Sequence, residues 1–129
     1  MLNDYLNILQ DGAIISAEQA TQTAALAWNQ HPTCPGVALK HLITGKQTGG
    51  ALSCHIVKVA AGCEITEHIH ADKLELHEIL SGNGVGVLVA QEIPYIAGTA
   101  VIIPASQPHK VSAGAEDLYL LAKFTPALL

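Results

Sequence analysis

Residues 62–75 read Gly62-Cys63-Glu64-Ile65-Thr66-Glu67-His68-Ile69-His70-Ala71-Asp72-Lys73-Leu74-Glu75. Side chains on a strand alternate between two faces, so on an extended segment His68 and His70 point the same way. At strand rise their Cα atoms lie about 6–7 Å apart, close enough for both imidazoles to converge on one ion. Ala71 to Leu74 suits a four-residue hairpin connection. If that loop closes simply, Glu75 pairs with His70 and His77 with His68, and directly opposed residues share a face. Glu78, three residues beyond Glu75, then points the other way. Parity therefore favours Glu75 over Glu78 as the carboxylate partner of the two histidines, and it places His77 beside them.

From Val37 onward the chain keeps this texture, with short β-branched runs separated by Gly, Pro, Asn and Ser. Strands are expected near 37–44, 51–59, 64–70, 75–80, 85–90, 93–96, 100–103, 109–112 and 117–124. Many short strands at such spacing indicate an all-β closed barrel or jelly roll. A fourth donor follows in Gly98-Thr99-Ala100-Val101-Ile102-Ile103-Pro104-Ala105-Ser106-Gln107-Pro108-His109. Strand 100–103 runs into a Pro-punctuated loop, and His109 opens the next strand, which a closed barrel can lay beside the strand of His68 and His70.

The N-terminal 36 residues read differently. Leu2, Leu6 and Leu9 recur at helical spacing before Gly12, predicting a helix over 2–11. Ser16-x-x-Gln19 matches a capping box ahead of an Ala-rich stretch, predicting a second helix over 17–28. Residues 31–36 are a loop by composition. The expected organisation is an N-terminal arm, 1–36, with one or two short helices, and a barrel domain, 37–129.

Composition narrows the partners. A chain of 129 residues, 50% hydrophobic and 13% charged, fits one globular domain. With a net charge of −5 and six Lys and Arg in total, no basic face for nucleic acid or an anionic membrane can be assembled. No apolar run reaches the roughly 20 residues that span a bilayer. Three cysteines without C-x-x-C spacing, and no leader-like N-terminus, point to a reducing cytoplasm. Small molecules are the expected partners.

These residues resemble the two signature motifs of the cupin superfamily. Gly62-x5-His68-x-His70-x4-Glu75-x6-Gly82 fits the first completely. Gly98-x5-Pro104-x-Ser106-x2-His109-x3-Ala113 fits the second, with Ser106 in place of the usual Gly and Ala113 in place of the usual Asn. The resemblance covers residues 37–124 and implies a double-stranded β-helix with a metal ion inside. It implies His68, His70, Glu75 and His109 as ligands of one divalent transition-metal ion, for which Fe, Mn, Ni, Zn and Cu suit the donors.

His77, expected in the pocket, reads either as an acid or base beside the ion or as a hydrogen-bond partner of a ligand. His55 alternates with Val57 and Val59, and a structural role is favoured; the same holds for Tyr95 and Gln107 near the pocket mouth. His31 and His41 read as ordinary histidines. The apolar outward residues Ile65, Ile69, Leu76 and Leu80 call for a cover, either the arm or a second copy, and cupins commonly pair through such sheets, so a homodimer is expected. The preferred function is a metal-dependent enzyme on a small polar or anionic metabolite, by dioxygenase, isomerase, decarboxylase or lyase chemistry. The alternatives are a non-catalytic binding or sensing module for a sugar or acid, and a purely structural ion.

Overall fold

Leu6 and Leu9 of the first predicted helix turn toward the protein, and α1 (Tyr5–Gln10) forms as expected, with the Asp4 carboxylate accepting from the Asn7 N–H. The computed structural model describes residues 4–129, so Leu2 of that predicted helix lies outside the described residues.

The second predicted helix does not form. Residues 13–30 instead make β1 (Ala13–Ile15), β2 (Ala20–Gln22), a 3-10 turn (Thr23–Ala25) and β3 (Trp28–Gln30). Ser16 makes the hydrogen bonds of a helix cap, its Oγ accepting from the Glu18 and Gln19 N–H groups. Those bonds close the β1–β2 turn, where the Ser16 N–H also donates to the Gln19 carbonyl at 2.8 Å. A hydroxyl that can cap a helix can equally fold a turn. Trp28 settles the competition by packing edge-on against Tyr119 and under the Lys40 ammonium.

The remaining strands fall close to the predicted spans. They are β4 (Val37–Ile43), then, after a short α2 (Gly45–Thr48), β5 (Ser53–Val59), β6 (Glu64–His68), β7 (Leu74–Ser81), β8 (Asn83–Leu88), β9 (Gln91–Ile96), β10 (Ala100–Ile103), β11 (His109–Ala113) and β12 (Leu118–Thr125). One antiparallel sheet has the order β10-β7-β12-β5-β4-β3 and the other β6-β11-β8-β9. Val57, Val59 and Leu120 of the first pack with Tyr95 and Val111 of the second in a single core, the two-sheet arrangement of a jelly roll.

The expected hairpin between the His68 strand and the Glu75 strand is not made. β6 pairs with β11 in the smaller sheet, while β7 lies between β10 and β12 in the larger one. Residues 69–73 cross between sheets, so Glu75 stands opposite Phe124 and Ile103, not His70. The parity within β7 still holds: Glu75, His77 and Ile79 are buried, whereas Glu78 reaches Lys123 at 2.7 Å.

Ile65 is also re-aimed. A bulge in β6 places His68 opposite His109 but Ile65 opposite Val111, so an extra residue lies between them and Ile65 shares the inner face with His68. The outer face of the larger sheet around β4 and β5 is covered by the arm, where Leu6, Leu9, Ile14, Leu26 and Trp28 pack over Leu42, Cys54 and Ile56.

The two residues joining β8 and β9, Val89 and Ala90, have φ of 48° and 66°. Such hairpin turns favour Asn and Gly, and a β-branched residue there is strained. Val89→Asn with Ala90→Gly is expected to add about 1 kcal/mol of stability. Calorimetry should then show a Tm rise of roughly 3–6 °C, and an unchanged or lower Tm contradicts the strain.

Candidate metal centre

His68 ends β6 and His109 opens β11, directly opposite each other, with ring centroids 4.1 Å apart. Each ring is oriented by its backbone: His68 Nδ1 lies 2.8 Å from the Thr66 carbonyl and His109 Nδ1 2.9 Å from the Gln107 carbonyl. A carbonyl only accepts, so both rings carry Nδ1–H, which leaves Nε2 as the nitrogen that could take an ion, in His109 on giving up the proton it shares with Glu75. His70 lies beyond the strand, on the crossing segment. Ser106 holds that segment, its N–H donating to the His70 carbonyl at 2.9 Å and its Oγ to the Ala71 carbonyl at 2.9 Å. Ser106 adopts φ 67°, which accounts for the Gly usual at that position; here the hydroxyl contact accompanies the left-handed backbone.

Glu75 joins this group from the opposite sheet. One donor atom from each of His68, His70, Glu75 and His109 lies within 4.8 Å of every other. Glu75 Oε1 is 3.1 Å from His109 Nε2 and 3.7 Å from His70 Nε2. Its other oxygen, Oε2, is 2.5 Å from His77 Nε2, and His77 Nδ1 is 2.8 Å from the Tyr95 hydroxyl. Glu75, His77 and His109 are buried. Tyr95 fits over Gly86, where a Cβ would come within 2.2 Å of the ring.

Burial alone would raise the Glu75 carboxyl, but hydrogen bonds from His109 and His77 outweigh it and hold it well below the usual carboxylate range. Burial pulls on His109 in the opposite sense, yet its hydrogen bonds to Glu75 and to the Gln107 carbonyl leave it raised. Burial lowers His68 and His70. Three imidazole nitrogens and one carboxylate oxygen are the donor chemistry that borderline divalent metals prefer.

His68, His70, Glu75 and His77 line one end of a cavity of about 370 Å³. Its walls are largely apolar, with Val37, Leu39, Val57, Leu120 and Phe124, and no lysine lines it. His31 and His41, unremarkable as sequence, also line it. His41 follows Val37 and Leu39 at period two on β4, and that alternation was the available signal for its inward position. His55 is fully buried, with Nδ1 2.8 Å from His41 Nδ1 and Nε2 2.9 Å from Ser53 Oγ. Tyr95 is a buried partner of His77 and does not stand at the mouth; Gln107 contributes its carbonyl to His109.

Burial and the neighbouring His41 push His55 down to about 4. Since the unfolded chain protonates first, this residue's stabilising contribution is present above about pH 6.5 and lost as pH falls toward 4. Urea unfolding is expected to show the wild type losing roughly 3 kcal/mol more than His55→Leu between pH 7.5 and 4. Equal losses would show that His55 does not carry the effect.

The sequence matches the model of a family described as Cupin domain over residues 55–123. Among solved structures, a predicted oxalate decarboxylase from Thermotoga maritima is similar at 21% identity and TM-score 0.74, covering 80% of this chain and 95% of that one. KdgF from Halomonas sp. is similar at 22% identity and TM-score 0.68, covering 78% and 87% of the two chains. The polyketide cyclase RemF from Streptomyces resistomycificus follows at 15% identity and TM-score 0.70, with 82% of each chain covered. No protein of curated function matches the sequence. At these identities the structures establish the fold alone. The family match spans more than half of the chain, and this protein belongs to the cupin superfamily.

Proposed function

We propose that this protein is a metal-dependent enzyme acting on a small polar or anionic metabolite, with His68, His70, Glu75 and His109 holding one divalent transition-metal ion. The supporting observation is the convergence of four donor atoms within 4.8 Å, three of the four residues lining a cavity of small-molecule size. Fe, Mn, Ni, Zn and Cu all suit the donors, and with no cysteine among them a thiolate-selecting metal is disfavoured. A bound ion supplies Lewis acidity toward a ligand oxygen and the means to activate water or dioxygen.

The chain's own residues prepare that chemistry. The Thr66 and Gln107 carbonyls orient two of the rings, and His77 holds the non-coordinating oxygen of Glu75. Both His77 nitrogens are engaged, which supports a positioning role for it over that of a free acid or base. The apolar walls limit water, and without a lining lysine the ion is the main counter-charge for an anionic ligand. The reaction falls within the dioxygenase, isomerase, decarboxylase or lyase classes. The engaged His77 equally supports the second reading, a non-catalytic binding module for a sugar or acid, and turnover of any bound compound by the loaded protein separates the two. We further propose a cytoplasmic homodimer, supported by three free cysteines and by Ile102 and Ile96, which are 66% and 50% exposed. A monomer by light scattering at high concentration would remove the dimer.

Calorimetric titration is expected to give one ion per chain. Glu75→Ala or His109→Ala should weaken binding by about 100-fold or more, and His77→Phe by about 10–100-fold, while Glu78→Gln leaves it unchanged. Wild-type protein without uptake, or equal effects of His77→Phe and Glu78→Gln, would contradict the assignment.

A further inference from the structure

A second polar feature of the cavity lies outside the metal donors. His41 lines the wall on β4; its Nδ1 meets His55 Nδ1 at 2.8 Å, and its Nε2 is neither buried nor hydrogen-bonded among the described residues. Behind it, His55 Nε2 meets Ser53 Oγ at 2.9 Å, and Ser53 Oγ accepts the Leu128 backbone N–H at 2.8 Å. Ser53 and His55 have no solvent exposure.

The backbone donor sets the direction of the whole chain. Leu128 N–H can only donate, so the Ser53 hydroxyl must place its own proton on its other partner, His55 Nε2. The reverse arrangement would leave a buried hydroxyl proton without an acceptor, which is disfavoured. Neutral His55 then carries its proton on Nδ1 and donates to His41 Nδ1, which leaves the proton of neutral His41 on Nε2. A bulge in β4 immediately after His41 turns Leu42 and Ile43 to the outer face, while His41 keeps the inward face.

We infer that His41 is a hydrogen-bond donor subsite of the cavity, locked as a donor by the Ser53–His55 pair, and that it takes a carbonyl or carboxylate oxygen of the ligand. With the metal centre proposed above, on which this part rests, the ligand class is a small molecule with two oxygen functions separated by a short apolar body. One oxygen function meets the ion and the other meets His41, with Ala122 and Phe124 on the wall between, the Phe124 ring centroid lying 5.7 Å from that of His55 and 5.3 Å from that of His70.

The test has two arms on the full chain. Long-range ¹H–¹⁵N spectra of metal-free protein at pH 7.5 should show His55 protonated on Nδ1 only and His41 on Nε2 only. Ser53→Ala should mix the two His55 tautomers. An unprotonated His41 Nε2 would overturn the inference. In the second arm, zinc-loaded protein is titrated with 4-oxopentanoate, 5-oxohexanoate and 6-oxoheptanoate against the unsubstituted alkanoates of equal length. At least one keto acid should bind roughly three- to tenfold tighter than its partner, the gain of one neutral hydrogen bond. His41→Phe should abolish that difference. No keto preference at any length, or a preference that survives His41→Phe, refutes the subsite. Failure to take up zinc would refute the metal reading alone, because the first arm is read without metal.

Discussion

A carboxylate 4% exposed, Glu75, is the constraint around which the rest of the molecule is arranged. An ionised carboxylate without partners in such a place would cost several kcal/mol or take up a proton. Here one oxygen meets His109 and the other meets His77, so the charge is retained with both oxygens satisfied. Each partner is itself anchored, His109 on the Gln107 carbonyl and His77 on the Tyr95 hydroxyl. Through these bonds β7 of one sheet is tied to β11 and β9 of the other, and the same contacts that close the barrel aim the donors. Gly86 belongs to this network, because a side chain there would displace the Tyr95 ring.

Bulges supply what regular strands could not. Period-two alternation would send Ile65 outward from a strand ending in His68; one extra residue in β6 brings both to the cavity. A second bulge, in β4 just after His41, diverts the next residues into the layer beneath the N-terminal arm. The arm covers the larger sheet around β4 and β5 and buries Lys40, whose ammonium donates to the Thr23 carbonyl at 3.2 Å over the face of Trp28. No helix among the described residues is long and apolar enough to cross a membrane.

That His68, His70, Glu75 and His109 converge was legible in the sequence through local parity and motif spacing. Glu75 was chosen over Glu78 by pairing it with His70 across a hairpin that is not made, and the choice survives because alternation within β7 alone buries Glu75 and turns Glu78 out. The partner of each strand was not legible: a four-residue gap suits a hairpin, yet residues 69–73 carry the chain from one sheet to the other, and that choice is made by long-range pairing with β10, β11 and β12. The Ser16 signal misled for a related reason, since its hydroxyl makes the same bonds in a turn as at a helix start, and only the packing of Trp28 distinguishes them. His41, His55 and Ser53 are far enough apart in sequence, and ordinary enough in type, that their hydrogen-bonded chain emerges only from the β4–β5 register.

What the cavity lacks is as informative as what it holds. Largely apolar walls and the lack of a lining lysine leave the donor cluster as the place where charge gathers, so the account of this protein stands on that cluster holding an ion. X-ray absorption of protein loaded with one equivalent of zinc tests this most directly. The account predicts a first shell of nitrogen and oxygen only, with the multiple-scattering pattern of three imidazoles. Sulfur in that shell, or fewer than two imidazoles, would contradict it.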